Sequence, residues 1–140
     1  MLVSSHVKTV LAWLVYTNVG DVENMRKILS DNFLDQIRPL SLGVPDLTIE
    51  PFLARMAANK IKFGIAEPTP DNIIEANNVV TIWTNSNGTT EHGFDWKNEY
   101  VIRFKFENDK IVNVYEWVDP TVVLAAFAKE DVVAEAQQYC

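Results

Sequence analysis

The chain is short of several things that would narrow its chemistry. It has one cysteine in 140 residues, and that one, Cys140, stands last. No intrachain disulfide or cysteine-based metal site can form, which fits an intracellular, cytoplasmic location. A thiol at a chain end, where order is usually poor, makes a bad nucleophile. Basic charge is scarce: 12 Lys and Arg against 19 Asp and Glu leave a formal net charge of -7. Nucleic acid and anionic membrane surfaces recruit clustered cations, so neither is expected as a partner. No apolar run approaches the roughly 20 residues needed to span a bilayer. The opening "MLVSSHVKTVLAWLVYTNVG" lacks the basic leader and small-residue cleavage site of a signal peptide. Its two histidines, His6 and His92, lie far apart, and no H-E-x-x-H spacing is present. Nothing resembles a phosphate loop, a dinucleotide fingerprint or a G-x-S-x-G elbow. Neither a metal nor another cofactor is therefore expected.

What the chain does have is apolar material. At 48% hydrophobic residues it can build one core, so residues 1–140 are read as a single domain. Val7, Val10, Leu11, Leu14 and Val15 follow helical spacing, with Ser4 or Ser5 to cap the start and Gly20 to end it. Asp21 can cap a second helix with Val22, Met25, Ile28 and Leu29 inward. A short extended piece, "DNFLDQI", leads into "RPLSLGVPDLT", where Pro39, Gly43 and Pro45 forbid regular structure. Thr48 can cap a third helix, with Pro51 in its first turn and Phe52, Leu53 and Met56 as its apolar stripe.

In the second half of the chain the period changes from 3.6 to 2. "NIIEA", "VVTIWTNS", "FDWKNEYVIRFKFE" and "KIVNVYEWV" read as strands, separated by Asn77-Asn78, Asn87-Gly88 and the hairpin turn Glu107–Lys110. Pro120 stops the last strand, and "TVVLAAFAKED" reads as a short C-terminal helix. Helices followed by an antiparallel meander define an α+β fold with the helices on one face of the sheet. In the long strand Trp96, Asn98, Tyr100, Ile102, Phe104 and Phe106 share one face, which burial turns inward. In the last strand Val112, Val114, Glu116 and Val118 form the better core row. Glu116 then sits among apolar neighbours. A charged carboxylate there costs several kcal/mol unless it is paired, protonated or facing a cavity. In a cavity, desolvation raises its pKa, as a general acid or base at neutral pH requires.

With these elements in order, the chain resembles the cone-shaped α+β fold of the nuclear-transport-factor-2-like superfamily, and within it the SnoaL-like polyketide cyclases. Fungal members of that branch, including meroterpenoid isomerases, have segments similar to "RPLSLGVP" (38–45), "KNEY" (97–100), "NDKI" (108–111) and "YEWVDP" (115–120). The resemblance implies a curved sheet with a deep pocket against the helices. It also implies cofactor-free proton-transfer chemistry, such as ring closure, dehydration or isomerisation, on a hydrophobic carbonyl-bearing intermediate of polyketide or meroterpenoid type. The superfamily also contains non-catalytic adaptors, so a ligand-binding or adaptor protein is the alternative. Homodimerisation is expected from the family habit and from the amphipathic row Asn113, Tyr115 and Trp117.

Glu116 is the first candidate for general acid or base; the structural alternative is an outward glutamate or one paired with Arg38 or Arg103. Asp119 is either a second carboxyl of the site or the cap of the helix after Pro120. Asn98 and Tyr100 could hold a substrate carbonyl or enolate oxygen, or could simply satisfy the sheet. His92, in "TTEHGFDW", could shuttle protons near the pocket mouth or stand exposed in a loop. Asp35 and Arg38 are placed on the substrate side of the pocket, Asp35 as a possible partner for a split-pKa carboxyl pair or as a surface salt bridge. Trp83, Trp96 and Phe104 are the aromatic candidates for the pocket wall.

Overall fold

The computed structural model describes residues 3–139, and the expectations attached to Cys140 lie outside them. Helix α1 runs Ser5–Val19, capped by the Ser4 hydroxyl, which accepts from the Val7 N–H at 3.1 Å, and ended by Gly20 in the left-handed region at φ 71°. The buried stripe holds Val7, Val10, Trp13 and Leu14, whereas Val15 is 57% exposed. The helix is thus rotated from the expected phase toward Trp13. That indole packs edge-on against Phe104 at 5.2 Å and buries far more area than a valine could.

Helix α2 (Val22–Ile28), capped by Asp21, passes directly into strand β1, Leu29–Arg38. After a single 3₁₀ turn at Leu40–Leu42 come β2 (Leu47–Thr48) and α3 (Ile49–Ala58). Thr48 occupies the cap position of α3, but its side chain makes no capping hydrogen bond. Then follow β3 (Ile73–Ala76), β4 (Val79–Asn85), β5 (Gly88–Thr89), β6 (Asp95–Trp96), β7 (Glu99–Glu107), β8 (Lys110–Val118) and α4 (Pro120–Gln137), which runs past the expected 121–131.

The main sheet has six strands in the order β2-β1-β8-β7-β4-β3. All neighbours are antiparallel except β1 and β8, whose parallel pairing sets Ile37 beside Glu116 and Asp35 beside Val114. Asn77 and Asn108 turn the two tight hairpins with φ of 56° and 55°. Strands β5 and β6 form a separate two-stranded ribbon, so Asn87-Gly88 is not a plain breaker.

The inward row Trp96, Asn98, Tyr100, Ile102, Phe104 and Phe106 is buried throughout. In β8 the inward row is Ile111, Val114, Glu116 and Val118. Phe106 pairs with Ile111 but Lys105 pairs with Asn113, which leaves Val112 as the extra residue of a β-bulge. The bulge shifts the phase and exchanges Val112 for Ile111 in the core. The result is an α+β cone, with α1, α2 and α3 packed on a curved, mostly antiparallel sheet and α4 lying near β6.

Candidate active site

A cavity of about 520 Å³ opens between the sheet and the helices. Its wall is mostly apolar, with Trp13 from α1, Phe52 and Met56 from α3, Phe63 from the crossing segment 59–69 that links α3 to the 3₁₀ turn at Pro70–Asn72, Trp96 from β6 and Phe127 from α4. Trp96 organises that wall: Phe63 stands edge-on to it at 5.9 Å, and Phe127 is tilted against it at 6.0 Å.

Glu116 reaches this cavity from β8. Directly behind it is Asp35, whose side chain is 1% exposed. The parallel register accounts for the meeting: Asp35 is level with Val114, and Glu116 is the next inward residue along β8. The α3 residue Arg55 also lines the cavity and donates from Nη2 to Asp35 Oδ2 at 2.5 Å. One guanidinium therefore serves two carboxyl groups. Burial raises the Glu116 pKa well above the ordinary carboxylate value. The charge and the hydrogen bond of Asp35 push the same way, and Arg55 only partly opposes them. Burial and Asp35 thus both favour the protonated form of Glu116, the member of the pair that faces the cavity.

Tyr100 also lines the cavity, but its hydroxyl is already engaged. It accepts from the Trp96 indole N–H at 2.9 Å and lies 3.1 Å from the Ser86 hydroxyl. Burial raises its pKa, so it stays a neutral phenol.

Of the remaining candidates, Trp96 lines the cavity as expected, whereas Asp35, expected on the substrate side of the pocket, is buried behind the wall because its β1 position turns it into the core beside Val114. The others do not line it either. Asn98 is buried away from the cavity; its Oδ1 accepts from the backbone N–H groups of Glu99 at 2.8 Å and Asp119 at 2.9 Å, which ties the start of β7 to the end of β8. Asp119 caps α4 through Thr121, and those hydrogen bonds lower its pKa, the opposite of what an acid at the site needs. Arg38 projects from the outer face of β1, bound to Asp46 at 2.9 Å and lying over the Tyr115 ring. Trp83 is 58% exposed on the outer sheet face, and Phe104 is sealed in the core beneath Trp13. The structural partners proposed for Glu116 are also excluded: Arg38 is engaged by Asp46, and Arg103 lies over Tyr115.

His92 does not line the cavity but pairs through Nδ1 with Glu130 of α4, which does. Hydrogen bonds from Thr90 and then from His92 pull the Glu130 pKa down to about 2. Glu91, His92 and Glu130 bring potential ligand atoms within 4.8 Å of one another, a cluster that spacing along the chain does not reveal. Lys60 already holds Glu91, and His92 holds Glu130, so a cation would have to displace both partners.

Arg55 is the charged cavity-lining residue that sequence reasoning missed. It sits one helical turn after Phe52 on the inward face of α3, and this i, i+3 relation to the apolar stripe was the available signal.

The fold is the cone also seen in solved structures described as an NTF2-like protein and a SnoaL-like polyketide cyclase. PrhC from Penicillium brasilianum superposes with a TM-score of 0.78 at 12% identity, over 94% of this chain and 93% of that one. The pinacolase BvnE from Penicillium brevicompactum gives 0.75 at 19% identity, over 94% and 96%. A candidate SnoaL-like polyketide cyclase from Jannaschia sp. CCS1 gives 0.72 at 13% identity, over 87% and 90%. No sequence-family model matches the chain, and no curated protein matches it in sequence. Among the described residues, no helix is long and apolar enough to cross a membrane.

Proposed function

We propose that the protein is a cofactor-independent isomerase or cyclase that moves a proton on a hydrophobic, carbonyl-bearing polyketide or meroterpenoid intermediate. The observation that carries this reading is Glu116 on an apolar cavity wall with Asp35 directly behind it. Glu116 rests as the neutral acid and gives its proton to the substrate. Donation leaves two carboxylates beside the single cation Arg55, a state of unfavourable charge in a poorly hydrated site. That state is relieved when Glu116 takes a proton from another atom of the substrate. The two transfers balance, so a double bond can shift or a ring can close with no external acid, base or cofactor. Neighbours of the same fold that carry the names of a pinacolase and a polyketide cyclase support the class of reaction.

Solvent exchange tests this without the natural substrate. Enolisable polycyclic ketones and β-diketones are incubated with the protein in D₂O, and deuterium uptake at carbon is followed by mass spectrometry. Uptake above the buffer rate, absent in Glu116→Gln, is the expected result. Binding of the same compounds with no exchange for any of them would identify a ligand-binding protein instead.

The protein is further proposed to pair with a second copy through its outer sheet face. Asn113 and Tyr115 are covered by their own chain, through hydrogen bonds to Leu34 and Gln36 and under the guanidinium groups of Arg38 and Arg103. Trp117 alone of that row stays open, at 49% exposure, and the register sets it in line with Val101 and Trp83, both also exposed. Sedimentation at micromolar concentration is expected to give a dimer, and Trp117→Glu a monomer. A monomeric parent protein would refute the pairing.

A further inference from the structure

The polar side chains around the cavity are mostly spoken for. Lys60 holds Glu91, Glu130 holds His92, Tyr100 is bonded to Trp96 and lies beside Ser86, and Thr17 donates to the Trp13 carbonyl. Arg55 differs. A guanidinium has five N–H donors in a fixed fork, and only Nη2 has a hydrogen-bond acceptor among the described residues, the Asp35 carboxylate. Asp35 holds that edge, and the Phe52 ring lies 5.6 Å beneath the guanidinium carbon, so the plane is fixed from two sides. Its side chain is 37% exposed, and the surface it is exposed to includes the cavity that Glu116 also lines.

We propose that Arg55 is the anchor for the substrate's carbonyl oxygen: its unused N–H groups bind that oxygen and hold the neighbouring carbon at Glu116. This rests on the acid–base reading above and narrows the substrate to molecules that present an oxygen acceptor within an otherwise apolar skeleton. Glu116 gives its proton to the other lone pair of that oxygen and, as the carboxylate, takes the proton of the α-carbon; the C–H electron pair becomes the C=C bond of the enol, and the guanidinium polarises the C–O bond throughout. The charge on Arg55 is tethered by Asp35, so the donor needs no reorganisation as the enol develops. A hydrogen bond to a charged group buried from water contributes more than one between neutral groups, so removing the oxygen from a ligand of unchanged shape costs affinity.

Binding of two probes of nearly the same shape tests the anchor without any turnover: 2-acetylnaphthalene, which carries the oxygen, and 2-ethylnaphthalene, which does not. Quenching of tryptophan fluorescence reports both. The native protein is expected to prefer the ketone by about tenfold or more, with its carbonyl stretch shifted to lower wavenumber by infrared difference spectroscopy. In Arg55→Met the preference and the shift both disappear, while affinity for 2-ethylnaphthalene is kept. Because Arg55→Met leaves Asp35 buried without its cation, the double variant Arg55→Met, Asp35→Asn serves as the second arm, with the same loss expected. Preference retained in either variant, no preference in the native protein, or binding of neither probe overturns the proposal. Glu116→Gln keeps the preference. Failure of the solvent-exchange test together with an intact, Arg55-dependent preference would therefore sink the proton-transfer reading and leave the anchor standing.

Discussion

Glu116→Gln is expected to lose at least about 10²-fold in proton transfer and, above neutral pH, to melt at a higher temperature than the parent protein. The two effects share one cause. Glu116 is held in its acid form by burial and by the charge of Asp35, so its folded pKa lies well above the ordinary value of 4.5. As pH rises past that ordinary value, the unfolded chain releases the Glu116 proton while the folded chain keeps it. The folded state then binds more protons, and stability falls with pH until the folded pKa has been passed. The slope from one such group is at most about 1.4 kcal/mol per pH unit. Glutamine has nearly the same shape and no proton to lose, so the variant lacks this slope.

The comparison works as a difference between two melting curves. Asp21, Asp46, Glu50, Asp119 and Glu130 have lowered pKa values and make both proteins less stable as pH falls. Their contribution is common to both and cancels. What remains is a gap near zero at pH 4 that widens in favour of glutamine from about pH 5 upward. Turnover of the parent should decline as pH rises through the Glu116 pKa, because the donating form is the neutral acid. Parallel melting curves at every pH would show that Glu116 is not a buried acid and would remove the basis of the proposed chemistry.

The part of this site that depends on local alternation was legible in the sequence. Six residues of β7 and its approach, Trp96 to Phe106, read inward by parity and are inward. The valines around Glu116 located it correctly, even though a bulge replaced one of them with Ile111. Asp119 was put forward as a second site carboxyl with capping as the alternative; an aspartate before a proline-led helix is a cap first, and that is its role here. What alternation cannot supply is pairing between distant segments. Asp35 meets Glu116 only because β1 and β8 run side by side and parallel, and no local pattern specifies that register. Arg55 joins them from a third element. Trp83 and Trp96 show the same limit: aromatic bulk suggested the wall for both, but Trp83 pairs with Val101 in the outward row. His92 and Glu130 are 38 residues apart, and the close ribbon β5–β6 beside α4 is what unites them.

Gly88→Ala is expected to be the most damaging single methyl in the protein. A Cβ at Gly88 would lie 1.8 Å from the Lys62 carbonyl oxygen and 2.4 Å from that of Phe63. Both are backbone atoms, so no rotamer change relieves the contact; the crossing segment itself has to move. That segment is fixed to β5 by two hydrogen bonds, Lys62 N–H to the Thr89 carbonyl and Thr89 N–H to the Lys62 carbonyl, each at 2.9 Å. Overpacking of a rigid contact costs about 1–3 kcal/mol, and loss of both bonds adds about 1 kcal/mol each. A total above about 3 kcal/mol follows, against an effect within about 0.5 kcal/mol for Thr89→Ala, whose side chain is exposed next door. The consequence reaches the site, because Ile61, Phe63 and Ile65 of the displaced segment form one wall of the cavity, and Phe63 supports Trp96. Gly88→Ala should therefore lose affinity for both naphthalene probes alike, ketone and hydrocarbon, whereas Arg55→Met loses only the difference between them. Thermal melting and the two binding curves check this together. An alanine variant that melts with the parent would mean that the segment is not held against β5 as described.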